Sequence, residues 1–461
     1  MAADLKHAAI ALNRFGLGAR PDEPLPADPQ RWLLGQFERY ASATPLWSSE
    51  PSGTTIVASY VDYLAELRQA DAAGDVAIRQ KLRAQSLDRY RAGVQARVTA
   101  ALDTPAPFAE RLVHFWANHF AVSIEKPPLT LLAGSLEAEA IRPHIFGRFE
   151  DMLLAVERHP AMLIYLDQIR SIGPESRAGQ RSAMANPLRP RGLNENLARE
   201  ILELHTLGVR TGYTQQDVTE FAKALTGWTL GGFPGLPGGG ERGAFAFQSA
   251  LHEPGSRVVL GQRYDQQGEA QAAAVLHTLA TAPATARHLC MKLARHFAGD
   301  TPPASLVDRL AETFLRTAGD LSSVYRTLIE SPEAWTTAQT KFKTPWEWTL
   351  SSLRGLRLRE AGSQPLATLI GQLGQPVWRP GSPAGYDDIA ESWAAPDALM
   401  RRVEFAQRIA ERAGSSVDAR TLAPHILPGG ISAGTAMAIA RAESSSSALA
   451  LLLASPEFLR R

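Results

Sequence analysis

The chain has 461 residues, and its 48 Lys and Arg against 47 Asp and Glu leave a formal net charge of +1. A nearly neutral chain has no field of one sign to attract nucleic acid or an anionic membrane surface, so binding to a polyanion is disfavoured. The single cysteine, Cys290, excludes an intramolecular disulfide and the cysteine-rich metal motifs, so a metal site would have to use His, Asp or Glu.

The two ends of the chain carry only short apolar runs. Residues 8–12 are too few for the core of a signal peptide, and no clean cleavage box follows them. Residues 448–454 fall well short of the roughly twenty residues that a membrane-spanning helix needs. We therefore expect a soluble, cytoplasmic protein with no membrane insertion, unless a partner carries it out of the cell.

Apolar residues recur at three- and four-residue spacing over most of the chain, which predicts a mainly α fold. The predicted helices cover residues 56–67, 77–102, 108–120, 129–141, 149–167, 195–207, 216–228, 270–280, 284–297 and 303–316. This pattern indicates one large multi-helix globular domain over residues 1–461. The chain loosens at 362–383 and 424–434, so we expect residues 362–461 to form a semi-separate C-terminal unit.

Three segments interrupt the predicted helices. Residues 169–191 carry five arginines and one acidic residue among Gly, Ser and Pro, which predicts a long, exposed basic loop. Residues 230–243 are rich in Gly and Pro but lack the strand and the Lys-Ser/Thr of a phosphate-binding loop, so we interpret them as an inserted loop. Strand-like residues 244–247 and 257–260 flank a turn, and they predict one small inserted hairpin over 244–260.

The densest polar group lies on the helix predicted at 195–207. Asn196, Arg199, Glu200 and Glu203 have the spacing of a single helical face. One interpretation is a solvated face on which Arg199 pairs with Glu195 and Glu203, each pair contributing about 0.2–0.5 kcal/mol. The other is catalytic, with Arg199 clamping an anion and a partly buried glutamate of raised pKa acting as acid or base.

Histidines add further candidates. His205 lies in the last predicted turn of that helix, where an imidazolium is favoured, so its role is either structural or that of a proton shuttle. His114 and His119 are five residues apart, which places them about 140° apart around an α-helix, and the same spacing separates Glu200 from His205. Neither pair can chelate one ion from a single helix. A metal would have to bind between helices, for example at His119 with Glu200 or Glu203, and its identity stays open.

The helix predicted at 284–297 carries His288, Lys292, Arg295 and His296. We interpret these residues as a surface face whose long side chains extend toward water. Cys290 lies within the apolar pattern of the same helix, and the chain has no Gly-x-Ser-x-Gly motif, so catalysis by a nucleophilic Ser or Cys lacks support.

Several segments together resemble the bacterial family named domain of unknown function 1800. They are Asn13-Arg14-Phe15-Gly16, Phe115-Trp116-Ala117-Asn118-His119-Phe120, the segment 159–167 beginning with His159-Pro160, the segment 194–208 beginning with Asn194-Glu195-Asn196, and the segment 212–228 ending with Gly227-Trp228. The resemblance covers nearly the whole chain and is most specific over 194–228. It implies a mostly helical fold and a sulfatase-like partner protein, because genes for the two kinds of protein are often neighbours. It implies no particular reaction.

Our first hypothesis is an acid/base enzyme that acts on an anionic or polar substrate in a cleft around helix 195–207, beneath the basic loop. The predicted catalytic residues are His119, Glu200, Glu203 and His205, and the predicted substrate-binding residues are Trp116, Asn196, Arg199 and Trp228. A bound metal would direct the same site to hydrolysis or oxidation. Two alternatives stay open: a non-catalytic binding or assembly partner of the sulfatase-like protein, and a buried polar network with a purely structural role.

Overall fold

The computed structural model describes residues 2–42, 47, 50–126, 128–185, 192–233, 239–337, 341–360, 364–414 and 417–461. Helices dominate these ranges, which confirms the predicted mainly α fold. None of the helices within them is both long enough and apolar enough to cross a lipid bilayer.

The first sixteen α-helices lie before residue 331. They are α1 (Ala2–Ile10), α2 (Pro29–Leu34), α3 (Gln36–Arg39), α4 (Gly53–Ala73), α5 (Val76–Asp103), α6 (Pro107–His119), α7 (Leu129–Leu136), α8 (Phe149–Arg158), α9 (Pro160–Tyr165), α10 (Arg177–Ala185), α11 (Asn196–Glu200), α12 (Gln215–Leu225), α13 (Glu269–Ala280), α14 (Pro283–Ala298), α15 (Ala304–Arg316) and α16 (Leu321–Glu330).

The C-terminal part adds seven more α-helices to those described. They are α17 (Pro345–Leu356), α18 (Leu366–Gln372), α19 (Ala390–Trp393), α20 (Pro396–Ala413), α21 (Ala419–Ile426), α22 (Ala433–Ala440) and α23 (Ser445–Leu453). Three π-helical turns continue α1, α7 and α11, namely Ala11–Phe15, Glu137–Ile141 and Ile201–His205, and 3-10 turns occur at Arg142–His144, Gln168–Arg170 and Pro332–Trp335.

The small β part differs from the prediction. Strands β1 (Trp228–Leu230) and β2 (Phe245–Phe247) form one antiparallel pair, and β3 (Arg257–Val259) and β4 (Gln262–Tyr264) form another. The predicted hairpin between 244–247 and 257–260 is therefore wrong, because each segment pairs with a different neighbour. Leu260 and Gly261, both with positive φ, form the tight turn between β3 and β4.

Proline and local capping explain where several helices begin and end. The helix predicted at 149–167 divides into α8 and α9, because His159 precedes Pro160 and takes an extended backbone conformation. The His159 side chain then accepts a hydrogen bond from the N–H of Ala161 at 3.1 Å and caps α9. Capping boxes at Thr214 and Thr344 begin α12 and α17.

The predicted basic loop is partly helical. Residues 177–185 form α10, and the backbone N–H of Ala178 bonds to the carbonyl of Ala250 at 2.9 Å. The buried Glu253 carboxylate accepts a hydrogen bond from the N–H of Glu175 at 2.8 Å. Residues 186–191 of this loop and 234–238 of the Gly/Pro loop lie outside the described residues.

Two apolar clusters form the interior. The N-terminal cluster is built from buried side chains between Ile10 and Trp335. The C-terminal cluster combines side chains between Phe342 and Leu459 with Leu17 and with the end of α5. The Trp378 side chain packs against both clusters. The predicted C-terminal unit over 362–461 stays a prediction, although the second cluster draws on most of the same residues.

A buried group of charges fixes α5, α6 and the π-turn after α7 to one another. The guanidinium of Arg142 donates to both Glu110 oxygens at 2.5 and 2.8 Å and to Glu137 at 3.0 Å, and Arg97 donates to Glu137 at 2.7 Å. Burial opposes ionisation of Glu110, but the Arg142 charge outweighs it and holds the pKa of that carboxyl well below its usual range. These four side chains form a closed ionic network in the interior.

Arg142→Met should lower the free energy of unfolding by about 3–5 kcal/mol, because it leaves two buried carboxylates short of their counter-charge. Urea unfolding at pH 7 measures the change. Arg287→Met is the matched control, since Arg287 is 61% exposed and pairs with an equally exposed Asp308, and it should cost less than about 1 kcal/mol. Similar small losses for both variants would contradict the network.

Candidate functional site

The helical face predicted to carry chemistry is largely a surface ion-pair network. Arg199 lies 3.3 Å from Glu195 and 3.5 Å from Glu203, and it also donates to Gln215 at 2.8 Å. Asn196 is exposed, and the Arg199 side chain is 37% exposed. The pairs required by the solvated-face interpretation are therefore present.

A π-turn changes the second half of this helix. Ile201–His205 is wound more widely than an α-helix, so residues five apart come closer together than α geometry allows. The expected separation of Glu200 from His205 is therefore wrong, and the two side chains interact electrostatically. Burial raises the pKa of Glu200, and the neighbouring His205 opposes that shift.

His205 is fully buried and paired with another buried residue. Its Nδ1 lies 2.7 Å from the Glu157 carboxylate on α8, and both side chains are excluded from solvent. The other ring nitrogen of His205 and the second Glu157 oxygen have no hydrogen-bond partner within the described structure. This pair matches the structural-network alternative more closely than an open catalytic site.

His119 connects the π-turn to α14. Its Nε2 lies 3.2 Å from the backbone carbonyl of His205, and its Nδ1 lies 2.9 Å from Nζ of Lys292. Burial lowers the pKa of His119 well below its usual value, and the charge of Lys292 lowers it further. A neutral imidazole therefore donates from Nε2 to the carbonyl and accepts at Nδ1 from Lys292.

Lys292 and Arg295 lie in a cleft, so the surface-face interpretation of α14 is wrong for them. The cleft encloses about 250 Å³ and is bounded by α6, α14, the start of α17 and residues 375–388. Of the predicted catalytic and substrate-binding residues, only His119 lines it.

Burial lowers the pKa of Lys292 to about 8, with the Asp388 carboxylate opposing and Arg295 adding to the shift. No carboxylate of the described residues lies within 4.0 Å of its Nζ. Its hydrogen bond to neutral His119 leaves two ammonium donors facing the cleft. The group is therefore a titratable amine held in place by an uncharged neighbour.

Arg295 lies one turn further along α14. Across the ranges that the structure covers, its guanidinium makes neither an ion pair nor a hydrogen bond, and its Nε is buried without a partner. A buried guanidinium donor without an acceptor is costly, so this arrangement suits an anion supplied by a ligand.

The acidic residues at the inner wall are already neutralised. Asp388 pairs with His296 at 2.8 Å and with Lys341 at 3.0 Å. Glu347 pairs with Arg111 and with Arg461. The cleft therefore has two cations, Lys292 and Arg295, that these acids do not neutralise by direct pairing.

Asn118 fixes the loop that forms one wall of the cleft. Its side-chain oxygen accepts from the N–H of Tyr386 at 2.7 Å, and its side-chain nitrogen donates to the carbonyl of Tyr386 at 2.8 Å. Gly385 has φ of +80°, and a Cβ there would lie 2.2 Å from the Asn118 carbonyl oxygen. This close approach requires glycine.

The two tryptophans predicted to bind substrate are buried away from this cleft. Trp116 is fully buried, and its indole donates to the Tyr325 hydroxyl at 2.6 Å. Trp228 is 1% exposed in β1, and the Arg158 guanidinium lies 5.2 Å from the centre of its ring. Their roles as substrate contacts stay predictions.

The expected inter-helix metal site can be compared with the geometry. In the part of the chain described, no group of three or more His, Cys, Asp or Glu side chains is placed to hold one metal ion. His119 lies beside His205 and His288, with ring centres 6.2 and 6.3 Å away, and its Nδ1 contacts Lys292. The predicted ligand combination is therefore not found among these residues.

Sequence reasoning found His119 but missed Lys292 and Arg295 as site residues. The helical pattern of α14 identified their shared face but not what covers it. The covering residues come from 344–388, and their approach depends on tertiary packing. Two cations without i±4 acidic partners were the one signal available in the sequence, since a surface face usually carries charges of both signs.

A helical protein with a cationic cleft beneath a C-terminal cover is the class that this geometry defines. The sequence profile of the family described as "Protein of unknown function (DUF1800)" matches residues 10–460, so the chain belongs to this family and the resemblance is confirmed. No curated protein and no solved structure matches the chain.

Lys292→Met should raise the free energy of unfolding by about 1–2 kcal/mol at pH 7, because the folded state no longer buries an ammonium whose pKa is depressed. The folded pKa of about 8 lies below the ordinary 10.5, so between these values the unfolded chain binds more protons. Wild-type stability then rises with pH across this window, and its deficit relative to the variant shrinks.

Denaturant unfolding from pH 6 to pH 10.5 measures this difference. Lys81→Met, on the exposed side of α5, controls for loss of a surface charge. A Lys292→Met difference that grows between pH 8 and 10.5 would contradict the assigned environment.

Proposed function

We propose that this protein is an acid/base enzyme that binds the anionic group of a small substrate in the cleft between α6, α14 and residues 375–388. The observation that carries the proposal is the pair of cations, Lys292 and Arg295, which line the cleft without a carboxylate partner within 4.0 Å in the described structure.

Arg295 is the proposed anion-binding residue. A guanidinium presents fixed donors that match a carboxylate or phosphate, and a partly buried one gains from a ligand oxygen that replaces lost water. Lys292 lies three residues earlier on the same helix, so its ammonium faces the same space. Together they supply two positive charges to one ligand group.

Lys292 is also the proposed acid/base. With a pKa of about 8, a fraction of the amine is neutral near pH 7 and can accept a proton from the substrate. The substrate anion formed in this step is stabilised by Arg295 and by the new ammonium, which later returns the proton. His119 is a positioning residue, because its Nδ1 holds Nζ through the hydrogen bond at 2.9 Å.

The other predicted catalytic residues have a weaker place in this proposal. Glu200 has a raised pKa but, like Glu203 and His205, it does not line the cleft. Asn196 and Arg199 as substrate contacts also stay predictions. Docking to a sulfatase-like partner stays a prediction as well, and no contact among the described residues favours it.

Competitive labelling with acetic anhydride, read by mass spectrometry from pH 6 to pH 11, tests the proposal. Labelling of Lys292 should have its midpoint near pH 8. Inorganic phosphate should shift that midpoint upward, because a bound anion favours the charged amine. The phosphate shift should be largely lost in Arg295→Met.

Lys81 supplies the internal control for reagent reactivity in the same samples. A Lys292 midpoint near 10.5, or a midpoint that phosphate leaves unchanged, would overturn the proposal. A phosphate shift that survives in Arg295→Met would remove Arg295 from the site.

A further inference from the structure

A second cavity adjoins the cationic cleft. It encloses about 470 Å³, a volume within the ordinary range for small-molecule sites. Its lining is mainly apolar and includes Trp47, Ile56, Leu131 and Gly134. None of these residues has a role in the proposed proton transfer.

Trp378 lines both cavities. The helix α5 also runs along both, since Gly93 lines the apolar cavity and Arg97 lines the cationic cleft one turn later. Four residues of an α-helix rise by about 6 Å, so the two cavities are separated by roughly that distance along α5. A chain of a few methylene groups spans such a gap.

Trp378 is held in an unusual conformation at this boundary. Its φ is +53°, which is rare for a bulky residue and costs of order 1–3 kcal/mol. Its ring lies against Gly93 and Gly134, where an added Cβ would approach the ring to 3.5 and 3.3 Å. Its indole nitrogen is buried and has no acceptor in the described structure, although a buried indole N–H usually has one.

From this arrangement we infer that the natural ligand is an amphiphile with one anionic head group and one apolar chain. The inference rests on the proposed function, because the head group occupies the site at Lys292 and Arg295. The chain passes Trp378, whose indole N–H donates to a ligand oxygen, and enters the apolar cavity. Trp378 thereby sets the specificity for ligands that carry a chain.

Charge and apolar area make different demands on the ligand. A small anion such as acetate satisfies Arg295 but leaves the apolar cavity hydrated. Octanoate carries the same head group and six further carbons, each buried methylene contributing roughly 0.8 kcal/mol before ordering costs. Octanol carries the chain without the charge.

Isothermal titration of the full chain with acetate, octanoate and octanol at pH 7 tests the inference. Octanoate should bind at least about 100-fold more tightly than acetate and at least about 10-fold more tightly than octanol. Arg295→Met should weaken octanoate at least about 10-fold and leave octanol unchanged.

Ala92→Phe should fill the mouth of the apolar cavity, because Ala92 is exposed on α5 and lines that cavity. It should weaken octanoate and octanol alike by at least about 10-fold. Ala84→Phe places the same ring on the same helix, at an exposed position that does not line the cavity, and should change neither.

The two proposals fail in different ways. If acetate and octanoate bind equally and both weaken in Arg295→Met, the amphiphile inference is overturned and the anion site stands. If octanoate binds tightly but is indifferent to both Arg295→Met and Lys292→Met, the anion site itself fails. If octanol matches octanoate in every variant, the cavity binds apolar molecules without head-group recognition, which also overturns the inference.

Discussion

The ion pair between Arg111 on α6 and Glu347 on α17 is the contact on which the arrangement of the two apolar clusters depends. Arg111 also donates to the carbonyl of Gly16 at 2.6 Å, and Glu347 also accepts from Arg461 at 2.9 Å. Burial disfavours the Glu347 carboxylate, but the two arginines outweigh it and hold its pKa well below the usual range. An interior pair of this kind is costly to break from either side, so it fixes where the C-terminal cover lies.

The character of the cleft follows from this joint. Glu347 serves three groups at once, because it also accepts from the N–H of Thr344 at the start of α17. Asp388 is similarly committed to His296 and Lys341. Acids that tie the cover to the N-terminal cluster cannot also neutralise the cations of α14, so assembly itself leaves the cleft short of negative charge. The desolvation of Lys292 is the stability cost of that arrangement.

The predictable part of this molecule is local. Apolar periodicity placed most of the helices, and the Arg199 pairs follow from spacing on one helix. The pairing of β1 with β2 was not predictable in this way, because it joins Trp228 to Phe247 across the Gly/Pro loop. The role of Lys292 depends on neighbours about 90 residues later in the chain, and the approach of Glu200 to His205 depends on a π-turn that periodicity does not reveal. Long-range packing and single-residue changes of helical winding are the two gaps.

The three π-turns have a consequence for how the length of this chain can vary. Each behaves as a helix with one residue added, and each contains a buried ionisable side chain, Arg14, Glu137 or His205. Deleting one residue within 201–205 would restore α winding and rotate everything after it by about 100°. His205 would then turn away from Glu157, even though no side chain of the pair had been altered. In these helices the count of residues carries as much structural information as their identity.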